Sequence, residues 1–203
     1  MKGKIWDWYA PIYSRVMRAE ERSYAYLYRR IPKLVRGKEV LELATGPGAL
    51  AKRIAPVTKR MLATDYSEGM IAEAKKGSCP KNLRFEVADA LSLPYADASF
   101  DAVLIVNALH LLPEPERALR EMARVLRPDG VLIAPNFVKQ RESLLTRSWE
   151  ALLSLAGLRF ANQWTPEEYL DFLKKNGWEV RFYKVMQARM PLIYTECRRA
   201  RQS

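Results

Sequence analysis

Residues Glu39-Val40-Leu41-Glu42-Leu43-Ala44-Thr45-Gly46-Pro47-Gly48-Ala49-Leu50 decide how the chain folds. An apolar run from Val40 to Leu43, broken by one acid at Glu42, leads into a turn of small residues. An apolar pattern then resumes through Ala49, Leu50, Ile54 and Ala55. That order predicts a buried strand, a glycine-rich turn and a helix start, the opening of an α/β nucleotide-binding unit. Small residues at 44, 46 and 48 let the backbone approach a ligand closely, because Gly accepts positive φ and has no Cβ to clash. Unpaired N–H groups at the helix start behind the turn favour a negative or polar group. Taken alone, such a turn is equally at home in a protein with no ligand.

Downstream the same unit repeats. Arg60 to Thr64 reads as a second strand ending at Asp65, and Ser67 opens a helix with Met70, Ile71 and Ala74 on its apolar face and Gly77 beyond its end. Leu83 to Val87 alternates as a third strand, with Asp89 after it. Phe100 to Val106 is the apolar run of a central parallel strand. A helix from Pro115 to Arg124–Arg127, a turn at Pro128-Asp129-Gly130 and a fifth strand from Val131 to Ala134 follow. Strand–helix alternation of this kind calls for a parallel sheet covered on both faces, whose ligands bind beyond the carboxyl ends of the strands. That rule selects residues 44–48, 65–66, 89–90 and 107–110.

Outside residues 38–136 the pattern changes. An aromatic segment, Trp6 to Ser14, precedes a basic amphipathic helix with Tyr24, Leu27 and Tyr28 inward, Arg29 and Arg30 solvated, and Pro32 as its limit. Residues 144–158 read as a helix, Thr165-Pro166-Glu167-Glu168 as the cap of another that ends at Asn176-Gly177. Strands from Trp178 to Val185 and from Leu192 to Cys197 close the chain, and Arg198 to Ser203 is expected to fray.

Composition narrows the class. The chain has 203 residues and a net charge of +11, concentrated in residues 1–38 (+7) and 139–203 (+5) around a balanced middle (−1). Such flanks attract anionic partners and also maintain solubility. No apolar run is long enough to span a bilayer, and residues 1–8 lack the apolar stretch of a secretory signal. The two cysteines, Cys79 and Cys197, have no His partners at ligand spacing, so neither a disulfide framework nor a metal site is expected, and the cytoplasm is the expected compartment.

At the strand ends, Asp65 can accept hydrogen bonds from both hydroxyls of a ribose, Tyr66 offers a flat face to an adenine, and Asp89 can accept from an exocyclic amine. Gly46-Pro47-Gly48-Ala49-Leu50-Ala51 also fits the G-x-G-x-x-G/A dinucleotide fingerprint. The residues by themselves therefore leave open an NAD(P)-dependent oxidoreductase and a nucleoside cofactor of another kind.

Val40 to Gly48 resembles the first motif of class I S-adenosylmethionine-dependent methyltransferases, with Ala44 where the first glycine of that motif usually stands. Asp65 to Met70, Asp89 to Pro94 followed by Ser99 to Val103, and Glu121 to Gly130 resemble the family's later motifs in the right order, with Asp129 at a usual glycine. The resemblance is to the group that includes ubiquinone/menaquinone and phospholipid methylating enzymes. It implies a three-layer, Rossmann-like, seven-stranded sheet, mostly parallel with an antiparallel last strand, over residues 38–203, preceded by a lid or substrate-side segment at 1–37. It implies S-adenosyl-L-methionine as cofactor, the methionine end on Glu42, Ala44, Thr45, Gly46 and Gly48, the ribose on Asp65, the adenine near Tyr66, Met70, Asp89 and Ala90, with Asn107 and the lid residue Tyr13 completing the site. His110, the only histidine, is the candidate general base for a small-molecule or lipid head-group acceptor. Contact with an anionic membrane is a further expectation from the basic N-terminal helix. A nucleic-acid substrate is disfavoured, since Asn107-Ala108-Leu109-His110 stands where DNA-amine methylating enzymes carry an Asn/Asp-Pro-Pro-aromatic motif. A non-catalytic cofactor-binding protein on the same scaffold is the remaining alternative.

Overall fold

The computed structural model describes residues 21–139, 162–187 and 191–200. Tyr13, the aromatic segment at 6–14 and the expected helix at 144–158 lie outside the described residues. The elements are α1 (Glu21–Val35), β1 (Glu39–Leu43), α2 (Ala49–Ile54), β2 (Arg60–Asp65), α3 (Glu68–Ala74), β3 (Leu83–Val87), β4 (Phe100–Ile105), α4 (Pro115–Val125), β5 (Leu126–Ile133), β6 (Asn136–Phe137), α5 (Pro166–Lys175), β7 (Trp178–Met186) and β8 (Leu192–Arg199).

One sheet runs in the order β3-β2-β1-β4-β5-β8-β6, with β7 also paired to β8. β1 to β5 are parallel, and β8 is antiparallel to β5, β6 and β7. The two-residue β6 continues the line of β5 along β8. β5 pairs Ile133 with Glu196, and β6 resumes with Asn136 opposite Ile193. Pro135 lies between them with no N–H to offer the ladder, and its carbonyl accepts from the Asn107 N–H at 2.8 Å, continuing the parallel β4–β5 register past Leu104 and Ile133. Counting β5–β6 as one bent strand, the expected seven-stranded, three-layer sheet is what forms.

Alternation along the strands separates two cores. Leu41, Leu43, Val103, Ile105 and Leu132 pack with Ala118, Leu119 and Met122 of α4 and Tyr169 and Leu173 of α5. Val40, Ala102, Leu104 and Ile133 face the other way, toward α1, α2 and α3. Every second residue of a strand points to the same face, so central strands buried on both sides must be apolar where both faces are covered, as β4 is from Ala102 to Ile105.

Three expectations about element boundaries are corrected. α1 does not stop at Pro32; it continues to Val35, because Leu27, Ile31 and Val35 are fully buried and their packing outweighs one lost helix hydrogen bond. Pro128-Asp129-Gly130 is no separate turn. It lies within β5, where the β4–β5 register shifts between Phe100 and Ala102, a bulge that accommodates a proline in a strand. Arg198 and Arg199 belong to β8, pairing with Glu179 and Trp178.

Arg30 is not solvated as expected. Its Nε and Nη2 donate to Glu196 Oε1 and Oε2 at 2.6 and 2.9 Å, and Tyr194 donates to the same carboxylate at 2.9 Å. Glu196 is 7% exposed, so this bidentate pair fastens α1 to β8 in a setting where an unpaired carboxylate would be costly. Arg30→Met is expected to lower the unfolding free energy by about 1–3 kcal/mol. Adding Glu196→Leu should restore part of that loss, because the stranded charge is then gone. Urea unfolding of both variants measures the difference.

Candidate functional site

The turn after β1 is built from alternating left-handed residues: Ala44 (φ 52°), Gly46 (φ 56°) and Gly48 (φ 74°). A Cβ on Gly48 would come within 2.7 Å of the Phe85 ring, so glycine is required there by both conformation and space. Ala44 adopts the conformation that its missing glycine would favour, at a strain of order 1–2 kcal/mol. The backbone path survives the substitution, which is why the motif's departure leaves the turn intact.

Asp65, at the end of β2, locks this turn to its neighbour. Its Oδ2 accepts the Gly46 N–H at 2.8 Å and its Oδ1 the Ser67 N–H at 2.9 Å. Ser67 in turn caps α3 by accepting from the Met70 N–H at 3.0 Å. The carboxylate is thus oriented by two backbone donors before any ligand arrives. Asp89, after β3, is steadied likewise by the Leu91 N–H at 2.9 Å. Tyr66 stands beside Asp65 with its ring 58% exposed.

These ends converge on one cavity of about 270 Å³. Ala44, Gly46, Asp65, Tyr66, Met70, Asp89, Ala90 and Asn107 line it, as expected from their places after the strands. Ala108 comes from the selected 107–110 segment; sequence reading missed the rest of the wall: Ala88 and Leu91 on either side of Asp89 and Ala90, and Val106, Leu111, Leu112 and Pro113 around the end of β4. The strand-end rule points at these segments, but apolar residues in a loop carry no chemical signal of their own. The cavity is therefore polar at the β2–β3 end and apolar at the β4 end.

Glu42 and Thr45 lie behind the wall, not in it. Glu42 is 2% exposed and accepts from Thr45 Oγ1 at 2.9 Å. Burial pushes its carboxyl from 4.5 up to about 8, the Thr45 hydrogen bond opposing and the nearby Asp65 charge adding to the rise. Gly48 shapes the turn without lining the cavity.

His110 is also outside the lining. It sits in a single 3-10 turn, Leu109–Leu111, 4% exposed, with Nδ1 2.8 Å from Asn136 Oδ1 and its ring edge-on to Phe137. Burial lowers the imidazole from 6.5 to about 4, against the Asn136 hydrogen bond, so it is neutral at pH 7. Among the described residues no group of three or more His, Cys, Asp or Glu side chains is arranged to hold a metal ion.

The Glu42 shift has a measurable sign. Unfolded, the group titrates near 4.5; folded, near 8. Between these values the native state keeps a proton that the unfolded chain has lost. The associated stability is fully present below 4.5 and is lost as pH rises through 8. Glu42→Gln is expected to flatten that decline, seen as a smaller difference between urea midpoints at pH 5 and pH 9 without ligand.

Residues 41–134 match the family model described as a methyltransferase domain. The chain is 30% identical to a demethylmenaquinone methyltransferase of Corynebacterium urealyticum, over 79% of this chain and 76% of that one. It is 37% identical to a ubiquinone/menaquinone biosynthesis C-methyltransferase, UbiE, of Rickettsia bellii, over 58% of this chain and 50% of that one. The chain spans about half the length of most such curated relatives. Among solved structures, the methyltransferase chain of the complex with the Haloferax volcanii Trm112 methyltransferase activator superposes with a TM-score of 0.83 at 18% identity, covering 99% of this chain and 98% of that one. Fold, strand-end acids and sequence relatives agree, and the chain belongs to the class I S-adenosylmethionine-dependent methyltransferase family.

Proposed function

We propose that the chain transfers a methyl group from S-adenosylmethionine to a small apolar acceptor, with a demethylmenaquinone-like ring, named by its relatives, as the first to test. The observation that carries this reading is the Asp65 carboxylate, preoriented by the Gly46 and Ser67 N–H groups at the polar end of a cavity whose other end is apolar. The residues present fit the cofactor. Asp65 would accept from its ribose hydroxyls, Tyr66 and Ala90 would flank its adenine, Asp89 would accept from the adenine amine, and the 44–48 turn would meet its methionine end.

When bound, the cofactor supplies a methyl group on a positively charged sulfur. What the protein contributes is alignment: the turn and the two acids fix one reactant, and the apolar walls after β4 exclude water around the other. Glu42 favours this cofactor over a nicotinamide dinucleotide. A pyrophosphate would bring negative charge over a buried acid, whereas an ammonium group would draw that acid toward ionisation. The same reading assigns α1 and the chain before it to the acceptor side of the site. A cytoplasmic setting is supported by two free thiols, Cys79 and Cys197. No helix among the described residues is long and apolar enough to cross a membrane.

His110 takes a structural role in this scheme, holding the turn after β4 to Asn136. A positioned general base contributes about 10²- to 10⁴-fold to rate. His110→Gln is therefore expected to keep kcat within about threefold while lowering the melting temperature. A loss of the larger size would restore the acid–base role. The cofactor is tested by titration calorimetry with S-adenosylmethionine and S-adenosylhomocysteine. Asp65→Ala should weaken both by about 10- to 100-fold, as expected for losing hydrogen bonds to a charged group. No heat from the wild-type chain at millimolar ligand would overturn the reading.

A further inference from the structure

A polar pair at the apolar end of the cavity has no task in cofactor binding. Asn107 follows β4 in the left-handed region, φ 53°, a conformation Asn tolerates better than most residues. Its N–H is tied to the Pro135 carbonyl, which fixes its backbone at the cavity wall, where the residue is 4% exposed. Asn107 Nδ2 donates to the Tyr24 hydroxyl at 3.0 Å. Asn107 Oδ1 is buried and has no hydrogen-bond partner among the described residues. Few native buried amide oxygens are left in that condition, and exchanging the two ends of the amide would only transfer the deficit to its NH₂.

Position separates this pair from the nucleoside. β4 lies beyond β1 from β2 and β3. With strands about 4.8 Å apart, the end of β4 is about 10 Å from that of β2 and about 14 Å from that of β3. Around Asn107 the wall is Val106, Ala108, Leu111 and Leu112. An apolar molecule would fill that space, and a turn of the Asn107 amide about its terminal torsion would offer the oxygen to one hydrogen-bond donor on it.

Building on the methyltransferase reading, we propose that Asn107, steadied by Tyr24, reads a hydroxyl or amino group on the methyl acceptor, its Oδ1 accepting that group's hydrogen. Asn107 is then a specificity-determining residue. A neutral amide takes up no proton, so its action is to orient the acceptor and reject analogues that lack the donor. Tyr24 makes α1 part of the site, and the Arg30–Glu196 pair further along the helix holds it there. The assignment moves Asn107 from the cofactor side, where its place in the sequence had put it, to the acceptor side.

Two probes of matched shape test this on the full chain loaded with S-adenosylhomocysteine: 1-naphthol, which carries a donor, and 1-methylnaphthalene, which does not. Calorimetry is expected to show the wild type preferring the naphthol by about tenfold. Asn107→Gly, which suits the positive φ, should reduce the preference to within twofold. Asn107→Asp, which keeps an acceptor oxygen, should preserve it, and S-adenosylhomocysteine affinity should stay within twofold in both variants. Equal binding of the two probes by the wild type, which needs no variant to measure, overturns the assignment, as does a preference that survives in Asn107→Gly. A wild-type chain that binds no S-adenosylhomocysteine overturns the methyltransferase reading and this assignment with it. Binding of that ligand without discrimination between the probes overturns this assignment alone.

Discussion

The Asp65 carboxylate is the contact on which the site depends. Through Gly46 it holds the turn after β1, and through Ser67 it holds the start of α3, so two successive strand-to-helix connections are joined by one charged group. Hydrogen bonds to an ionised acceptor are stronger than neutral ones, and here both donors are backbone groups with no rotamer freedom to lose. The left-handed residues at 44, 46 and 48 make this possible by turning the Gly46 N–H toward the neighbouring strand. A carboxylate oriented in advance would lose little entropy on meeting a ligand, as the proposed alignment of two reactants requires.

The cavity then acquires its asymmetry from strand order. β2 and β3 end in acids, whereas β4 ends in a short 3-10 turn whose outward residues are apolar. The segment around Pro135 contributes from the other side. Its carbonyl accepts from the Asn107 N–H, and the chain just beyond brings Asn136 to His110. The register that β5–β6 keeps with β4 and β8 thus fixes the turn after β4, and with it the apolar wall of the cavity.

How much of this was legible beforehand depended on whether the signal was local. Small residues at alternate positions, an acid at a strand end and the Ser67 and Thr165 caps express backbone needs within a few residues, and all are where the pattern placed them. Two of the misread places involve proline. Locally Pro32 signals a helix stop and Pro128 a turn, but burial of Leu27, Ile31 and Val35 in one case and a bulge against β4 in the other override the local preference. His110 looked like a base because its residue type suits one; its burial, and hence its lowered basicity, comes from neighbours distant in the chain.

The sequence by itself determined the three-layer α/β fold, the order of strands and helices through residue 136, and the acids that would meet a nucleoside. Hydrophobic period and turn chemistry act over short range, so they can be read from neighbours in the chain. Tertiary structure alone decided that Glu42 stands behind the cavity wall, that Arg30 reaches across 166 positions to Glu196, and that Asn107 meets Tyr24. Each of these follows from which elements the sheet order makes adjacent. Burial and pairing are properties of that adjacency, and no single stretch of residues carries them.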